Sequence, residues 1–273
     1  MGFSLRALGL LGMLAGSLFI APAVAAKPAL QVMSSSALVL DVNSGQTLYQ
    51  KNPNQVRPIA SLTKLMTALV VLDAKQSLND VITVDESDRD LLKGTHSRIR
   101  MGTKVTRRDA LHLALMSSEN RMASALARHY PGGKPAFIRA MNNKARQLGM
   151  RSSRFYDSTG LTTRNVSTAR DLSKLVAAAY RQPLIRQFTQ DTSREMRFNS
   201  PAYTLMFNNT NPLVKNSDWD VHLSKTGYTD EAGRCLVMRA KPDNRELAII
   251  LLNAQGKRTP VGDANRIRQW LRS

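Results

Sequence analysis

Three short patterns of polar residues could carry chemistry in this sequence, and the first is Ser61-Leu62-Thr63-Lys64. A spacing of three places the Ser61 hydroxyl and the Lys64 amine on one helix face, one turn apart. Burial in the apolar segment that follows would lower the lysine pKa, and a neutral amine beside a serine can activate its hydroxyl as a nucleophile. A helix-capping serine followed by a solvated lysine would give the same pattern. Alone, therefore, it does not identify a site.

The second pattern is Ser118-Glu119-Asn120, which lies between two predicted helices. Its hydroxyl could pass a proton, and its amide could bind a substrate carbonyl or orient the lysine. Serine is also a common helix-capping residue, so Ser118 is equally consistent with a structural role.

The third pattern, Lys225-Thr226-Gly227, ends a predicted strand. A cation and a hydroxyl on an edge strand can hold a carboxylate, and a glycine lets a ligand lie close to the backbone. An ordinary lysine and glycine at the end of a strand would look the same.

The elements that must position these patterns follow from hydrophobic periodicity. A β-hairpin is predicted over residues 37–50 and three strands over Val221–Gly227, Cys235–Ala240 and Glu246–Leu252. The predicted helices are Ile59–Leu72, 106–116, Asn120–Tyr130, Pro135–Leu148, 168–180 and Gly262–Leu271. Strands at both ends and helices between them predict an α/β fold of the α+β type, with one antiparallel sheet packed against a helical middle.

Composition and charge narrow the classes of function. The 273 residues are 42% hydrophobic, which excludes a disordered chain. The 39 Lys and Arg against 20 Asp and Glu give a net charge of +19, which suits a nucleic acid, a membrane surface or a polyanionic substrate. Aromatic residues are only 5%, which disfavours proteins that stack single-stranded bases.

The N-terminus favours an exported protein. Residues 1–25 combine a basic start, an apolar run of 14 residues (7–20) and small residues, the layout of a cleavable signal peptide, with cleavage near Ala25 or Ala26. Export to the periplasm makes nucleic-acid binding improbable. The only cysteine, Cys235, excludes an internal disulfide, and no cluster of His, Cys, Asp and Glu has the spacing of a metal site. We expect no metal and no cofactor.

Together the three patterns resemble those of the low-molecular-mass penicillin-binding proteins, the serine D-Ala-D-Ala peptidases. The similarity covers roughly residues 35–270 and includes the segments Ile59–Ala68, Phe155–Leu161, Ser167–Leu172 and Lys225–Gly233. It implies a β-lactamase/transpeptidase-like fold in a single catalytic domain, residues 26–273.

The resemblance also implies a role for each residue of the patterns. Ser61 would be the acylated nucleophile, which β-lactam antibiotics would also acylate, and Lys64 its general base. Ser118 would take part in proton transfer as a third catalytic residue. The expected oxyanion hole is the backbone N–H of Ser61 and of Tyr228. The expected substrate-binding residues are Asn120, Lys225, Thr226, Gly227, Tyr228 and Arg258, the last as an additional cation for the substrate carboxylate.

Two departures from the family's carboxypeptidases predict a subtype. Asn120 is followed by Arg121-Met122 where carboxypeptidases usually have Asp-Ala, and this resembles the D-alanyl-D-alanine endopeptidase branch, the penicillin-binding-protein-seven type. Only 46 residues, 228–273, follow Gly227, too few for a second β-domain or an amphipathic C-terminal anchor. We expect a periplasmic enzyme that cleaves D-Ala-diaminopimelate cross-links of peptidoglycan, with at most peripheral membrane contact.

Three alternatives remain at this stage. A D-Ala-D-Ala carboxypeptidase that trims pentapeptides is the nearest. A class A β-lactamase would need a Glu-x-x-Leu-Asn sequence for deacylation, and none lies between Asn120 and Lys225. A non-catalytic penicillin sensor would keep the fold and lose turnover.

Overall fold

The computed structural model describes residues 1–2 and 29–273. The predicted signal peptide therefore lies almost wholly outside the described residues. Within them, no helix has the length and apolar character needed to cross a bilayer.

Five antiparallel strands form the main sheet, and they come from both ends of the chain, as predicted. Their spatial order is β2-β1-β11-β10-β9, so β9 is an edge strand. The other strands pair in three small two-stranded sheets. In chain order the strands are β1 (Ser36–Asp41), β2 (Thr47–Lys51), β3 (Arg57–Pro58), β4 (Val81–Thr83), β5 (Lys104–Thr106), β6 (Val166–Ser167), β7 (Ser193–Asn199), β8 (Ala202–Asn208), β9 (Val221–Thr229), β10 (Gly233–Ala240) and β11 (Leu247–Ala254).

Seven α-helices are described, six of them between β2 and β9. They are α1 (Thr63–Asp73), α2 (Arg107–Met116), α3 (Asn120–Arg128), α4 (Gly133–Gln147), α5 (Ala169–Tyr180), α6 (Pro183–Gln190) and α7 (Thr259–Arg272). The Thr106 and Thr168 hydroxyls cap α2 and α5, since they accept the backbone N–H of Asp109 and Asp171. Hydroxyl caps satisfy donors that a helix start leaves unpaired.

The sheet separates two hydrophobic cores because successive side chains of a strand point to opposite faces. Leu38 and Ile250 belong to the core shared with the helical middle. Val39 and Ile249 belong to the other core, which α7 covers. The result is three layers, with the predicted helical middle on one face of the sheet and the C-terminal helix on the other.

Helix α1 is the central helix of the molecule, as its apolar composition predicted. Its residues from Thr63 to Val71 are all buried, and Lys64 is among them. The regular helix begins at Thr63 rather than at Ile59, because residues 60–62 form a 3-10 turn. Ser61 therefore lies in a tight turn at the N-terminal end of a buried helix.

The segment between Tyr180 and Val221 contains structure that the sequence patterns did not predict. Helix α6 and the β7–β8 hairpin lie there. Thr210, which follows β8, donates its backbone N–H to the Met116 carbonyl at the end of α2 and so ties this segment to the rim of the site.

Candidate active site

A cavity of about 690 Å³ lies between the helical middle and the edge strand β9, and Ser61 is one of the residues that line it. Ser118 and Asn120 line it from the helical side, and Thr226, Gly227 and Tyr228 line it from the strand. The three sequence patterns, far apart along the chain, thus meet at one cleft.

The Lys64 amine makes three short contacts, and their geometry defines its role. Its Nζ lies 2.8 Å from Ser61 Oγ, 2.7 Å from Asn120 Oδ1 and 2.8 Å from the Thr159 carbonyl. The amide oxygen and the carbonyl can only accept hydrogens. A neutral amine would give them its two N–H bonds, which leaves its lone pair facing the Ser61 hydroxyl. The arrangement suits a base that removes the serine proton.

Burial prepares Lys64 for that role. Only 1% of its surface is exposed, and burial lowers its pKa to about 8, against the opposing effect of the Asp157 and Glu119 carboxylates. A base with a pKa near the working pH combines a useful neutral fraction with proton affinity.

We expect the rate of Ser61 acylation to rise about tenfold per pH unit up to about pH 8 and to level off above it, because only the neutral amine accepts the proton. The second-order rate constant for acylation by a penicillin, measured from pH 6 to pH 9.5, checks this. A rate independent of pH over that range contradicts Lys64 as the base.

The Thr159 carbonyl is held in place by a loop built around Asp157. The Asp157 carboxylate accepts the backbone N–H of Thr159 at 3.1 Å, of Gly160 at 2.6 Å, and of Leu161 and Thr162 at 3.2 Å each. One carboxylate thereby accepts hydrogen bonds from four backbone N–H groups of the turn, and this turn directs the Thr159 carbonyl toward Lys64. The chain offered a signal for this loop, since Asp before Ser-Thr-Gly is typical of a carboxylate that caps its own turn.

Asn165 connects the Asp157 loop (residues 157–162) to the turn of residues 60–62 that contains Ser61, which we call the nucleophile turn. Its side-chain N–H groups bond to the Asp157 carboxylate at 2.8 Å and to the Thr63 hydroxyl at 3.1 Å, and its backbone carbonyl accepts the Ile59 N–H at 3.1 Å. The side chain is fully buried. Sequence reasoning assigned no role to Asp157, Thr159 or Asn165.

Gly160 of the Asp157 loop packs directly against the backbone of Ala60 and Ser61 in the nucleophile turn. It has φ of +88°, and a Cβ atom placed on it would lie 1.9 Å from the Ala60 carbonyl oxygen. Ala60 itself has φ of +46°, a conformation that costs non-glycine residues energy. The loop therefore touches the peptide that precedes Ser61.

Ser118 and Lys225 form the second hydrogen-bonded pair of the site. Lys225 Nζ donates to Ser118 Oγ at 2.8 Å and to the Thr226 carbonyl at 3.0 Å. Burial and the nearby Lys64 amine lower the pKa of Lys225 well below its usual value. Ser118 has φ of +63° and is not the cap of α3, since the Glu119 carboxylate caps that helix. The capping role considered for Ser118 is thus wrong.

Lys225 lies behind the cavity wall rather than on it. Its side chain is 1% exposed, and its amine is covered by Ser118 and the Thr226 carbonyl. Among the strand residues, the Thr226 hydroxyl reaches the cavity and donates to the Thr210 hydroxyl at 2.7 Å. The carboxylate-binding role expected of this pattern stays a prediction, in which Thr226 would contact the carboxylate directly and Lys225 would act through Ser118.

Gly227 is required by the protein's own packing. A Cβ atom there would lie 3.0 Å from the Ser61 backbone nitrogen and 3.1 Å from the Ile59 carbonyl. The absence of a side chain at Gly227 thus lets β9 lie close to the turn that contains Ser61, and its predicted role toward a ligand stays a prediction. Strand and turn are close enough for the backbone groups of Ser61 and Tyr228 to face one cavity, as the predicted oxyanion hole requires.

The remaining predicted residues also lie at this cleft. Asn120 Nδ2 donates to the Thr95 hydroxyl at 3.0 Å, which fixes its Oδ1 toward Lys64. Arg258 also lines the cavity, from the segment between β11 and α7. Cys235 is buried as a free thiol, and burial raises its pKa to about 11, which makes it unreactive.

In the part of the chain that the structure covers, no three His, Cys, Asp or Glu residues group as metal ligands.

Comparisons with known proteins agree with this geometry. A profile of the D-alanyl-D-alanine carboxypeptidase family matches residues 22–256. A D-alanyl-D-alanine endopeptidase of Pseudomonas aeruginosa is 48% identical over 93% of this chain and 85% of its own length. One of Escherichia coli is 49% identical over 88% and 78%. Among solved structures, the Streptomyces K15 DD-transpeptidase superposes with a TM-score of 0.82 at 27% identity, over 89% of this chain and 98% of that one.

The predicted α/β transpeptidase-like fold is confirmed by this likeness, and the predicted family by the profile and the two relatives. The chain belongs to the D-alanyl-D-alanine carboxypeptidase family of serine D,D-peptidases.

Proposed function

We propose that this protein is an exported, periplasmic D,D-endopeptidase of peptidoglycan that hydrolyses D-Ala-diaminopimelate cross-links through an acyl-enzyme on Ser61. The observation that carries the proposal is the Lys64 amine, whose two acceptor contacts leave its lone pair for the Ser61 hydroxyl. The endopeptidase names of two relatives at 48% and 49% identity support the subtype.

The proposed reaction has two halves. Lys64 takes the Ser61 proton as the hydroxyl oxygen attacks the D-Ala carbonyl, and the tetrahedral oxyanion is stabilised by backbone N–H groups of Ser61 and Tyr228. The proton that Lys64 has taken then passes through the Ser118 hydroxyl, which is bonded to Lys225, to the departing amine, so Ser118 and Lys64 return to their starting forms. Water next attacks the ester while Lys64 accepts its proton, and that proton passes to Ser61 Oγ as the acyl group leaves. A β-lactam would enter the first half in the same way and leave slowly.

Arg121, which stands where the sequence departs from the carboxypeptidase pattern, shapes the cleft together with the nearby Glu119. Glu119 accepts a hydrogen bond from the Ser97 hydroxyl, and Arg121 donates to the Ile99 carbonyl. Both hold the segment 95–99 beside Asn120, where Thr95 contacts its amide. This pair therefore anchors a wall of the cleft that the carboxypeptidase sequence Asp-Ala could not anchor in the same way.

Digestion of defined muropeptides tests the proposal. We expect purified protein to convert cross-linked tetrapeptide dimers to monomers and Ser61→Ala to be inactive, with mass spectrometry of the products as the measurement. Release of D-alanine from pentapeptide monomers without dimer cleavage would make the protein a carboxypeptidase. Full dimer cleavage by Ser61→Ala would remove Ser61 as the nucleophile.

A further inference from the structure

One wall of the cavity that holds Ser61 is positively charged, and its cations come from β10 and from the segment after β11, the first and second strands beyond β9 in the sheet. Arg234, Lys257 and Arg258 all line the cavity that holds Ser61. Lys257 and Arg258 are exposed, and Arg234 is half-buried. Across residues 29–273, no ion pair joins any of these three cations to a carboxylate, and no acidic residue lines this cavity. Three unpaired cations therefore face one pocket.

The backbone adds to this field. Pro260 and Val261, in the first turn of α7, line the same wall. No side chain caps the N-terminus of this 14-residue helix. The Thr259 N–H is bonded to the Gly256 carbonyl and Pro260 has no N–H, so it is the partial positive charge of the helix start, rather than a set of free donors, that favours an anion at this wall.

Arg234 is held in position rather than left free in solvent. Its guanidinium lies 3.7 Å from the centre of the Tyr228 ring, and the Tyr228 hydroxyl donates to Asp230 at 2.6 Å. Tyr228 follows Thr226 by two residues on β9, so their side chains share one face of the strand. Arg234 thus extends the line of polar side-chain groups that begins at the Thr226 hydroxyl.

The two kinds of substrate differ at this wall of the cavity. A pentapeptide loses a single D-alanine, which carries one carboxylate, next to the scissile nitrogen. A cross-link loses a whole peptide, which carries that carboxylate and others several bonds further on. An extended peptide advances about 3.5 Å per residue, so the more distant carboxylates need binding groups well beyond Thr226.

We propose that Arg234 and Lys257, beside Arg258, form a second anionic subsite that binds the distant carboxylates of the acceptor peptide. This inference rests on the proposed function and names what makes the cleft favour cross-links. Single-residue leaving groups end short of the subsite, so only cross-linked peptides gain from it.

Three peptide substrates test the subsite. They are a cross-linked tetrapeptide dimer, the same dimer with its distant acceptor carboxylates converted to carboxamides, and a pentapeptide monomer. The measurement is the ratio of kcat/KM for the dimer to kcat/KM for the pentapeptide. We expect Lys257→Glu to lower this ratio about tenfold and Arg234→Gln to lower it about fivefold, because the first reverses the exposed charge of Lys257 and the second removes the half-buried charge of Arg234. The amidated dimer should be insensitive to Lys257→Glu.

Lys241→Glu is the matched control, since Lys241 is exposed and follows the opposite end of β10 from Arg234. It should keep the wild-type ratio. An unchanged ratio in both Lys257→Glu and Arg234→Gln, or an equal loss on natural and amidated dimers, would overturn the subsite.

Failure of the proposed function looks different from failure of the subsite. If wild-type protein does not cleave the dimer at all, the endopeptidase proposal is wrong. If wild-type protein cleaves it and the variants cleave it with the same preference, the endopeptidase stands and the second anionic subsite is wrong.

Discussion

Lys64→Met should lower the rate of Ser61 acylation about a thousandfold or more while the protein stays folded. Methionine fills much the same volume without a base, so the Ser61 proton loses its acceptor. The two groups that the amine contacts, Asn120 Oδ1 and the Thr159 carbonyl, lose a donor. The cost of an unpaired buried acceptor is about 1–3 kcal/mol, and release from burying an amine offsets part of it. Labelling by a fluorescent penicillin measures the rate, and thermal unfolding measures stability.

Two further variants separate the base from the charge. Lys64→Arg keeps the positive charge but has a guanidinium that cannot lose its proton at these pH values, so we expect it to be as slow as Lys64→Met. Lys75→Met makes the same substitution at an exposed position just past the end of α1 and should keep the wild-type rate. Wild-type labelling by either Lys64 variant would show that another group takes the serine proton.

The proximity of Ser61 and Lys64 was predictable because both lie within one helical turn, and their roles as nucleophile and base stay predictions. Local spacing fixes the geometry of Ser61 and Lys64 whatever surrounds them. The apolar run after Lys64 also predicted its burial, and burial is the main cause of its lowered pKa. The main sheet was also predictable from a local signal, since β1, β10 and β11 are short, strongly apolar segments.

The sequence contains no comparable signal for the third hydrogen-bond acceptor around the Lys64 amine. It is the Thr159 backbone carbonyl, and backbone groups look alike in every sequence. Its position depends on the Asp157 carboxylate and on Asn165, 95 or more residues along the chain from the nucleophile turn. Such long-range contacts emerge only when the chain is folded.

The net charge of the chain also shows that the sequence does not predict which distant residues come together. A net charge of +19 predicted a polyanionic partner but not where the partner would lie. Arg234 and Lys257 come together because β10 begins beside the turn that follows β11. Helix α6 was missed because it is only eight residues long. The β7–β8 hairpin was missed although β7 alternates between exposed and less exposed positions, which is a strand signal.

Gly160→Ala should have a large effect without touching a catalytic group. The added Cβ would lie 1.9 Å from the Ala60 carbonyl oxygen, 2.4 Å from its carbon and 2.9 Å from the Ser61 nitrogen. The clash is with backbone, so either the nucleophile turn or the Asp157 loop has to move. We expect an acylation rate about a hundredfold lower, because a shift of about 1 Å in a catalytic group costs that much.

The same substitution should also destabilise the fold. Overpacking costs about 1–3 kcal/mol, and a left-handed conformation adds about 1 kcal/mol for alanine. Denaturant unfolding monitored by circular dichroism measures this loss, and penicillin labelling below the unfolding transition measures the effect on Ser61 separately.

Gly102→Ala distinguishes the clash from the backbone strain. Gly102 has φ of +77°, close to that of Gly160, but a Cβ atom there would meet nothing within 4 Å. It should therefore lose about 1 kcal/mol of stability and keep its acylation rate. Equal acylation rates in the two variants would mean that the Asp157 loop does not hold the nucleophile turn. A slow Gly160→Ala beside a normal Gly102→Ala would show that the position of Ser61 depends on a contact made 99 residues away along the chain.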